Sequence, residues 1–261
     1  MSDHVIHARP PARINAALTM IQRCVRLSTR NIDALLTSVI LPVSILLLFV
    51  YLFGGAISTG MANYVDYVVP GVLLLSTGFV SALTATAVTE DMRQGIIDRF
   101  RSMDVNGAAV LAGHVAASMV RNAVAAVAML AVALAVGFRP TATPLEWLAA
   151  IGVLALFVLA VSWVAAAFGL LANTPEGASG FSFFVMFLPY PSSAFVPIAT
   201  MPVWLHGFAE HQPATPVIET LRGLLTGTPI GDSALLAIAW CASLILVSAI
   251  LAGVLFHRRT S

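Results

Sequence analysis

Long stretches without a charged residue constrain this chain more than any other feature of its sequence. In six such stretches, 17 to 33 consecutive residues carry no charge, and most of them are apolar. An α-helix needs about 20 residues to cross the roughly 30 Å hydrocarbon core of a bilayer. The sequence therefore predicts an all-α membrane protein with six transmembrane helices. The stretches lie between Asp33 and Asp66, Asp66 and Glu90, Arg121 and Arg139, Glu146 and Glu176, Glu176 and Glu210, and Asp232 and Arg258.

Composition agrees with this interpretation and excludes several classes of protein. Apolar residues make up 59% of the chain and charged residues 10%, whereas soluble domains have about 45–50% and about 25%. All 13 basic residues are Arg, so the chain lacks the Lys that the phosphate-binding loop of nucleotide hydrolases requires. Any ATP hydrolysis must therefore come from a partner, and we expect this chain to hydrolyse none. A net charge of +1 gives no reason to expect nucleic-acid binding, and Cys24 and Cys241 fit no metal-binding spacing, so we expect no metal or cofactor on the chain.

The placement of arginine predicts the orientation. With the N-terminus inside, eleven Arg lie in inner segments, and only Arg139 and Arg222 lie in outer segments. Because cytoplasmic loops carry an excess of basic residues, both termini are expected in the cytoplasm. The first apolar run is too long for a cleavable signal peptide, so we interpret it as a retained span. The predicted location is the cytoplasmic membrane.

Residues 12–32, within a cytoplasmic tail over 1–32, read as an amphipathic helix lying in the inner membrane interface. Its apolar face consists of Ile14, Leu18, Ile21, Val25 and Ile32. The opposite side carries Arg23, Arg26 and Arg30. Two interpretations remain open: a positive anchor for the first span, or a helix that also touches a cytoplasmic partner.

The inner loop over 90–106 holds the densest charge in the chain, with seven charged residues among 90–104. Ile96, Phe100 and Met103 would share one face of a short helix there. An apolar face beside charges of both signs favours docking to another protein. The alternative is a solvated connector with an apolar edge in the lipid interface. Farther along, Arg121 is expected to extend to lipid phosphates, the alternative being that it lines a pathway.

The fifth apolar stretch is interrupted by four prolines, at 189, 191, 197 and 202. Because proline breaks the helical hydrogen-bond pattern, we expect the span over 177–200 to break in its outer half. The apolar residues of 201–228 then predict short helices dipping into the outer leaflet, the alternative being an ordinary interfacial belt. Aromatic residues of this span suggest a substrate path, although simple helix packing would also use them. They are Phe183, Phe187 and Tyr190.

Three segments, taken together with the six-span layout, resemble type-2 ABC transporter permeases, in particular export permeases of the daunorubicin/doxorubicin-resistance type. They are YVDYVVPGVLLL (64–75), EDMRQGIIDRFRSM (90–103) and FVPIATMPVWLHGFAEHQPATPVIETLRGLLTG (195–227). The resemblance covers about residues 12–258. The chain departs from the family at Asp104, where many members have Pro, which bears on how the inner helix ends.

The resemblance implies one permease domain over 1–261, with a coupling loop at 90–106 and an outer re-entrant segment at 197–231. It implies a cytoplasmic ATPase subunit that holds ATP and Mg, a second permease subunit in a homo- or heterodimer, and surrounding membrane lipid. The expected activity is export of an amphipathic drug, antibiotic or lipid-like substrate. The residues expected to couple to the ATPase are Arg93, Gly95, Ile96, Asp98, Arg99, Phe100, Arg101 and Met103.

Three other classes of protein remain as alternatives. An ion-coupled secondary transporter generally keeps carboxylates within the membrane, whereas those of this chain lie at the ends of the predicted spans. A six-span intramembrane serine protease would have to use Ser179, in the sequence Gly-Ala-Ser-Gly, with a base such as His257 at the inner edge. A purely structural membrane subunit is the third alternative.

Overall fold

The computed structural model describes residues 21–26, 32–57, 59–61, 63–95 and 107–260, and this part of the chain consists of helices and turns without a strand. Residues 21–26 are helical, and a π-helical turn, Phe49–Phe53, continues α1. The helices are α1 Ile32–Leu48, α2 Tyr64–Arg93, α3 Gly107–Val136, α4 Pro144–Leu171, α5 Pro175–Phe187, α6 Val203–His211, α7 Ala214–Thr226 and α8 Ser233–Thr260.

Among the described residues, five helices are long and apolar enough to cross a membrane. They are Leu36–Phe53, Tyr64–Arg93, Ala109–Val136, Pro144–Leu171 and Ser233–Phe256. The prediction of an all-α membrane protein is confirmed. The remaining predicted span, between Glu176 and Glu210, contains the 13-residue helix α5, a run of turns, the short 3-10 helix Ile198–Thr200 and most of α6. Pro189 and Pro191 follow α5, and neither can donate the backbone hydrogen bond that would continue it.

Two helix starts and one helix end are fixed by local capping interactions. Thr143 and Glu146 form a reciprocal capping box at the start of α4, and the Thr174 hydroxyl accepts from the backbone N–H of Gly177 at the start of α5. Both helices also have proline at the first position, where no internal hydrogen bond is lost. Gly227 ends α7 with a φ of 75°, a left-handed conformation that glycine adopts at little cost.

Helix α2 is the centre of the bundle. In its apolar stretch 89% of the residues are buried, compared with 17% in those of α1 and α8. Small residues let the neighbours approach closely, as is common between membrane helices. A Cβ atom added at Gly71 would lie 2.6 Å from the carbonyl oxygen of Ala194, and one added at Gly78 would lie 2.8 Å from Cγ1 of Val185. The chain from α5 to Ala194 therefore packs directly along α2.

The described helices define two ends of the bundle, which we name after the first and last residues of α2. At the Arg93 end, Nε2 of His114 in α3 lies 3.1 Å from Oδ2 of Asp91. At the Tyr64 end, the backbone N–H of Arg139, just after α3, donates to Oδ1 of Asp66 at 3.0 Å. Helices α2 and α3 are thus antiparallel neighbours over their whole length.

The buried apolar side chains form two clusters. The larger one joins α2 to α1, α3, α4, α5, α7 and α8 and includes Leu74, Met129, Phe157 and Ile218. The smaller one lies at the Arg93 end and joins α2, α3, α4 and α8. Its buried members are Val88, Leu111, Val115, Ala166, Ala167, Leu170 and Ala252. The Arg93 end therefore has a packing unit of its own.

Candidate functional site

The predicted coupling segment begins where α2 ends at the Arg93 end. Arg93 is the last residue of α2 and is exposed. The side-chain amide of Gln94 donates to Oε1 of Glu90 at 2.7 Å, and Gly95 leaves the helix with a φ of 64°. The other predicted coupling residues lie outside the described residues: Ile96, Asp98, Arg99, Phe100, Arg101 and Met103.

The helical residues 21–26 belong to the predicted interfacial helix. Arg26 is exposed and Arg23 is half-buried, while Arg30 lies outside the described residues. Cys24 is buried. Burial raises the pKa of its thiol; the charge of Asp91 acts in the same direction, and those of Arg23 and Arg121 oppose it. These influences place Cys24 close to the charged groups of the Arg93 end.

A seam of buried polar side chains joins α2, α3 and α4. Nη2 of Arg121 donates to Oγ1 of Thr84 at 2.9 Å, and the amide of Asn122 donates to Oγ of Ser81 at 3.2 Å. One turn away on α3, Ser118 accepts from the hydroxyl of Ser162 at 2.8 Å. The expectation that Arg121 reaches out to lipid phosphates is wrong, because its side chain is buried and directed at α2. No local sequence pattern indicated that the side chain of Arg121 points into the bundle, because nothing in the sequence pairs position 121 with position 84.

Two of the residues predicted for a substrate path line an open groove of about 880 Å³. Phe183 and Phe187 are 65% and 60% exposed, and the ring of Phe187 lies 5.8 Å from that of Tyr190. The groove lies between α5, α6 and Trp240 of α8 and also includes Phe184 and Phe208. Tyr190 is half-buried, and its ring stacks on Phe195 at 5.2 Å. Its contacts therefore lie within the chain.

Sequence reasoning missed a buried arginine at the Tyr64 end. Arg222 in α7 is 3% exposed, and its Nη2 donates to the carbonyl oxygens of Ser193 at 2.6 Å and Tyr67 at 3.1 Å. Its Nη1 lies 2.6 Å from Oε1 of Glu219, and its guanidinium lies 3.8 Å from the centre of the Tyr67 ring. The spacing of three residues between Glu219 and Arg222 could have suggested a pair, but nothing local indicates the contacts to Tyr67 and Ser193.

The Arg222 contacts join three parts of the chain. They link α7 to the start of α2 and to the turns that follow α5. Helix α7 has a further hydrogen bond at this end, from the backbone N–H of Thr141, before α4, to the carbonyl oxygen of Leu225 at 2.9 Å. The two short helices α6 and α7 are thus attached to the bundle chiefly through α7. Helix α6 exposes most of its apolar residues, including Val203, Trp204 and Phe208.

Comparison with known proteins gives the class to which this architecture belongs. Residues 15–226 match the ABC-2 type transporter family. The chain is 33% identical, over 222 residues, to the daunorubicin resistance ABC transporter permease protein DrrB1 of Streptomyces coeruleorubidus, covering 84% of this chain and 78% of that protein. It is 22% identical, over 260 residues, to the probable doxorubicin resistance ABC transporter permease protein DrrC of Mycobacterium tuberculosis, covering 96% of this chain and 92% of that one.

The helical bundle and these matches define the transmembrane subunit of an ABC exporter, a multi-pass protein of the bacterial cytoplasmic membrane. The chain belongs to the ABC-2 type transporter family. This membership decides against the secondary-transporter and serine-protease alternatives. Ser179, the residue that a protease would need, is exposed at the start of α5 and donates its hydroxyl hydrogen bond to the carbonyl oxygen of Glu176 at 2.6 Å.

Proposed function

We propose that this chain is the passive membrane half of a drug or lipid exporter, moved by a separate cytoplasmic ATPase that docks at the Arg93 end. The observation that carries the proposal is the position of the charged segment 94–106. It connects α2 and α3, and both of these helices continue through the bundle to the Tyr64 end. A push on this segment would therefore act on two helices that reach the opposite side.

In this proposal the chain crosses the membrane six times, with both termini in the cytoplasm. The contacts along α2 support the additional crossing. Glu176, in the first turn of α5, lies close enough to Arg93 to feel its charge. Farther along, Val185 lies beside Gly78, and the carbonyl oxygen of Phe195 accepts from the Tyr64 hydroxyl at 3.0 Å. The 13 residues of α5 span about 20 Å as a helix, and the turns after it continue to the level of Tyr64.

Helices α6 and α7 are then a re-entrant pair in the outer leaflet. The exposed apolar side chains of α6 support this placement, because lipid would cover them. Single cysteines at Val203, Trp204 and Phe208, in a variant without Cys24 and Cys241, should react slowly with a membrane-impermeant maleimide added outside. A cysteine at Asp232, which is exposed before α8, should react at least about tenfold faster. Equal rates at all four positions would contradict the re-entrant arrangement.

The substrate class follows from the groove and from the relatives. Five of the eleven residues that line the groove are Phe or Trp, and aromatic side chains attract flat apolar molecules through stacking and burial of apolar surface. The relatives are named for daunorubicin and doxorubicin resistance. We therefore place an amphipathic aromatic drug, for which daunorubicin serves as the probe, in contact with Phe183 and Phe187. A second permease subunit, identical or different, would complete the transporter.

Charge reversal in the inner segment tests the function. The triple variant Asp98→Arg, Arg99→Glu, Arg101→Glu should still insert in the membrane but lose drug-stimulated ATP hydrolysis by the co-purified ATPase and daunorubicin efflux from the native host. The matched control is Glu210→Arg, which reverses one exposed charge near the Tyr64 end and should leave both activities intact. Full coupling in the triple variant, or no ABC ATPase bound to the wild-type chain, would refute the proposal.

A further inference from the structure

The two ends of the coupling segment are joined by a side-chain contact between Asp91 and His114, which no local sequence pattern indicates. Asp91 lies in the last turn of α2, two residues before its end, and His114 lies in the second turn of α3. Nε2 of His114 and Oδ2 of Asp91 are 3.1 Å apart, and the side chains are 9% and 18% exposed. Because water has little access to the pair, this hydrogen bond competes less with water than one on the surface would.

The pair closes the base of the segment that the ATPase is proposed to move. Only residues 92–113 separate the two partners, and they include the whole of 94–106. The segment leaves α2 at Gly95, in a left-handed conformation that does not continue the helix. A displacement of the segment therefore reaches the first two turns of α3 by two routes. One is the backbone, which enters α3 at residue 107, and the other is the side-chain contact between Asp91 and His114.

Packing carries the contact further into the bundle. Leu111 and Val115 flank His114 on α3 and belong to the smaller apolar cluster, as does Val88 on α2. That cluster also contains Leu170 of α4 and Ala252 of α8. In addition, the hydroxyl of Thr89 donates to the carbonyl oxygen of Gly169 at 2.8 Å. A change in the relation of α2 to α3 at this level must therefore be accommodated by α4 and α8, since packed interiors resist small deformations.

We infer that Asp91 and His114 are positioning residues that tie the coupling segment to α3, so that its movement is transmitted to the membrane helices. This inference rests on the proposed function, because it concerns the same segment. Their contact makes the end of α2 and the start of α3 move together.

Two reporters separate transmission from ATPase docking. An environment-sensitive dye on Ser102→Cys reports the segment itself, and one on Val127→Cys, a position of α3 that is 68% exposed, reports movement of α3. Each is measured in the native complex, in a background without Cys24 and Cys241, on addition of ATP. In otherwise wild-type protein both dyes should respond.

The decisive variant is His114→Phe, which keeps a ring of similar size but removes the hydrogen bond. The dye at position 102 should respond as before, whereas the response at 127 should fall by about threefold or more, the range expected for a lost coupling contact. The swapped pair Asp91→His with His114→Asp should restore much of the response at 127. A purely structural role would not give this recovery together with an unchanged response at 102.

The matched control is Ser81→Ala, which removes another buried contact between α2 and α3, the 3.2 Å hydrogen bond from Asn122. It should leave both dye responses unchanged. An unchanged response at 127 in His114→Phe, or an equal loss in Ser81→Ala, would overturn the inference while leaving the proposed function standing. Absence of any ATP response at 102 in wild-type protein would instead overturn the proposed function and the inference with it.

Discussion

Arg121 and Arg222 lie in stretches of mostly apolar residues, and both are buried against oxygen acceptors that include atoms of other parts of the chain. Arg121 reaches Thr84, and Arg222 reaches the carbonyl oxygens of Tyr67 and Ser193 together with the carboxylate of Glu219. A buried guanidinium is tolerated when its donors are satisfied, and removing it leaves its partners without a donor in an apolar surrounding. These two residues therefore act as polar ties between helices.

Replacement of Arg222 should be among the most destabilising single changes at the Tyr64 end. In Arg222→Met the side chain keeps much of its length, but the oxygens of Tyr67 and Ser193 lose their donor, and we expect a loss of about 3 kcal/mol in the free energy of unfolding. Glu219→Gln should cost about 1 kcal/mol or less, because Glu219 is half-exposed. Unfolding in mixed micelles with increasing denaturing detergent measures both. Equal stability of the two variants would show that Arg222 does not tie the three parts together.

The helices themselves were largely predictable, because charge-free length alone locates membrane spans. Four of the five long apolar helices lie where those stretches placed them, and the prolines after α5 indicated that this helix would end early. Helix α3 is the exception: it begins at Gly107, well before the charge-free stretch that starts after Arg121. Charge-free length alone does not locate this start, because Arg121 lies buried within the helix.

The polar contacts were not predictable from local sequence, and the reason is their separation along the chain. The partners of Arg222 include Tyr67, 155 positions away, and Thr89 pairs with a carbonyl oxygen 80 positions away. Spacing rules apply to neighbours on one helix, whereas these contacts depend on which faces of two helices meet. The groove was predictable only in part: Phe183 and Phe187 line it, but the contributions of Phe208 and Trp240 come from other elements.

Helix α4 contains two glycines that together test how closely the helices pack, because one of them faces α2 and the other faces open space. In α4, a Cβ at Gly169 would lie 2.5 Å from the carbonyl oxygen of Ala85, whereas one at Gly152 would meet nothing within 4 Å. Gly169→Ala should therefore lower stability by about 2 kcal/mol through overpacking against α2. Gly152→Ala should be neutral or stabilising by up to about 1 kcal/mol. Detergent-induced unfolding of both variants checks the sign of each change, and a stable Gly169→Ala would show that α2 and α4 are not in close contact.

On the scale of the whole molecule, the chain has two chemically different ends. The Arg93 end carries the start of the charged segment, the Asp91–His114 pair and Cys24. The Tyr64 end carries the two short helices and the Arg222 contacts. Such an arrangement suits a subunit that receives force at one end and opens at the other.

A subunit of this kind should do no work without its ATPase. Purified alone and reconstituted in vesicles, the chain should not accumulate daunorubicin against a gradient when a pH or sodium difference is imposed. The carboxylates that would bind such ions support this expectation, since Asp66, Glu146 and Glu176 lie in the first turns of their helices. The matched sample is the same vesicle containing the co-purified ATPase and ATP, in which uptake should occur. Uptake driven by the ion gradient alone would contradict the assignment of a passive subunit.

The burial of α2 has a consequence for how the bilayer acts on the protein. In the apolar stretch of α2, 89% of the residues are buried within the chain, whereas in those of α1 and α8 only 17% are. A thicker or thinner bilayer changes the preferred tilt of helices that lipid surrounds, so such a change acts first on these outer helices and leaves the central one nearly unaffected. The lipid composition of the host membrane should accordingly alter the tilt of α1 and α8, while α2 keeps its orientation.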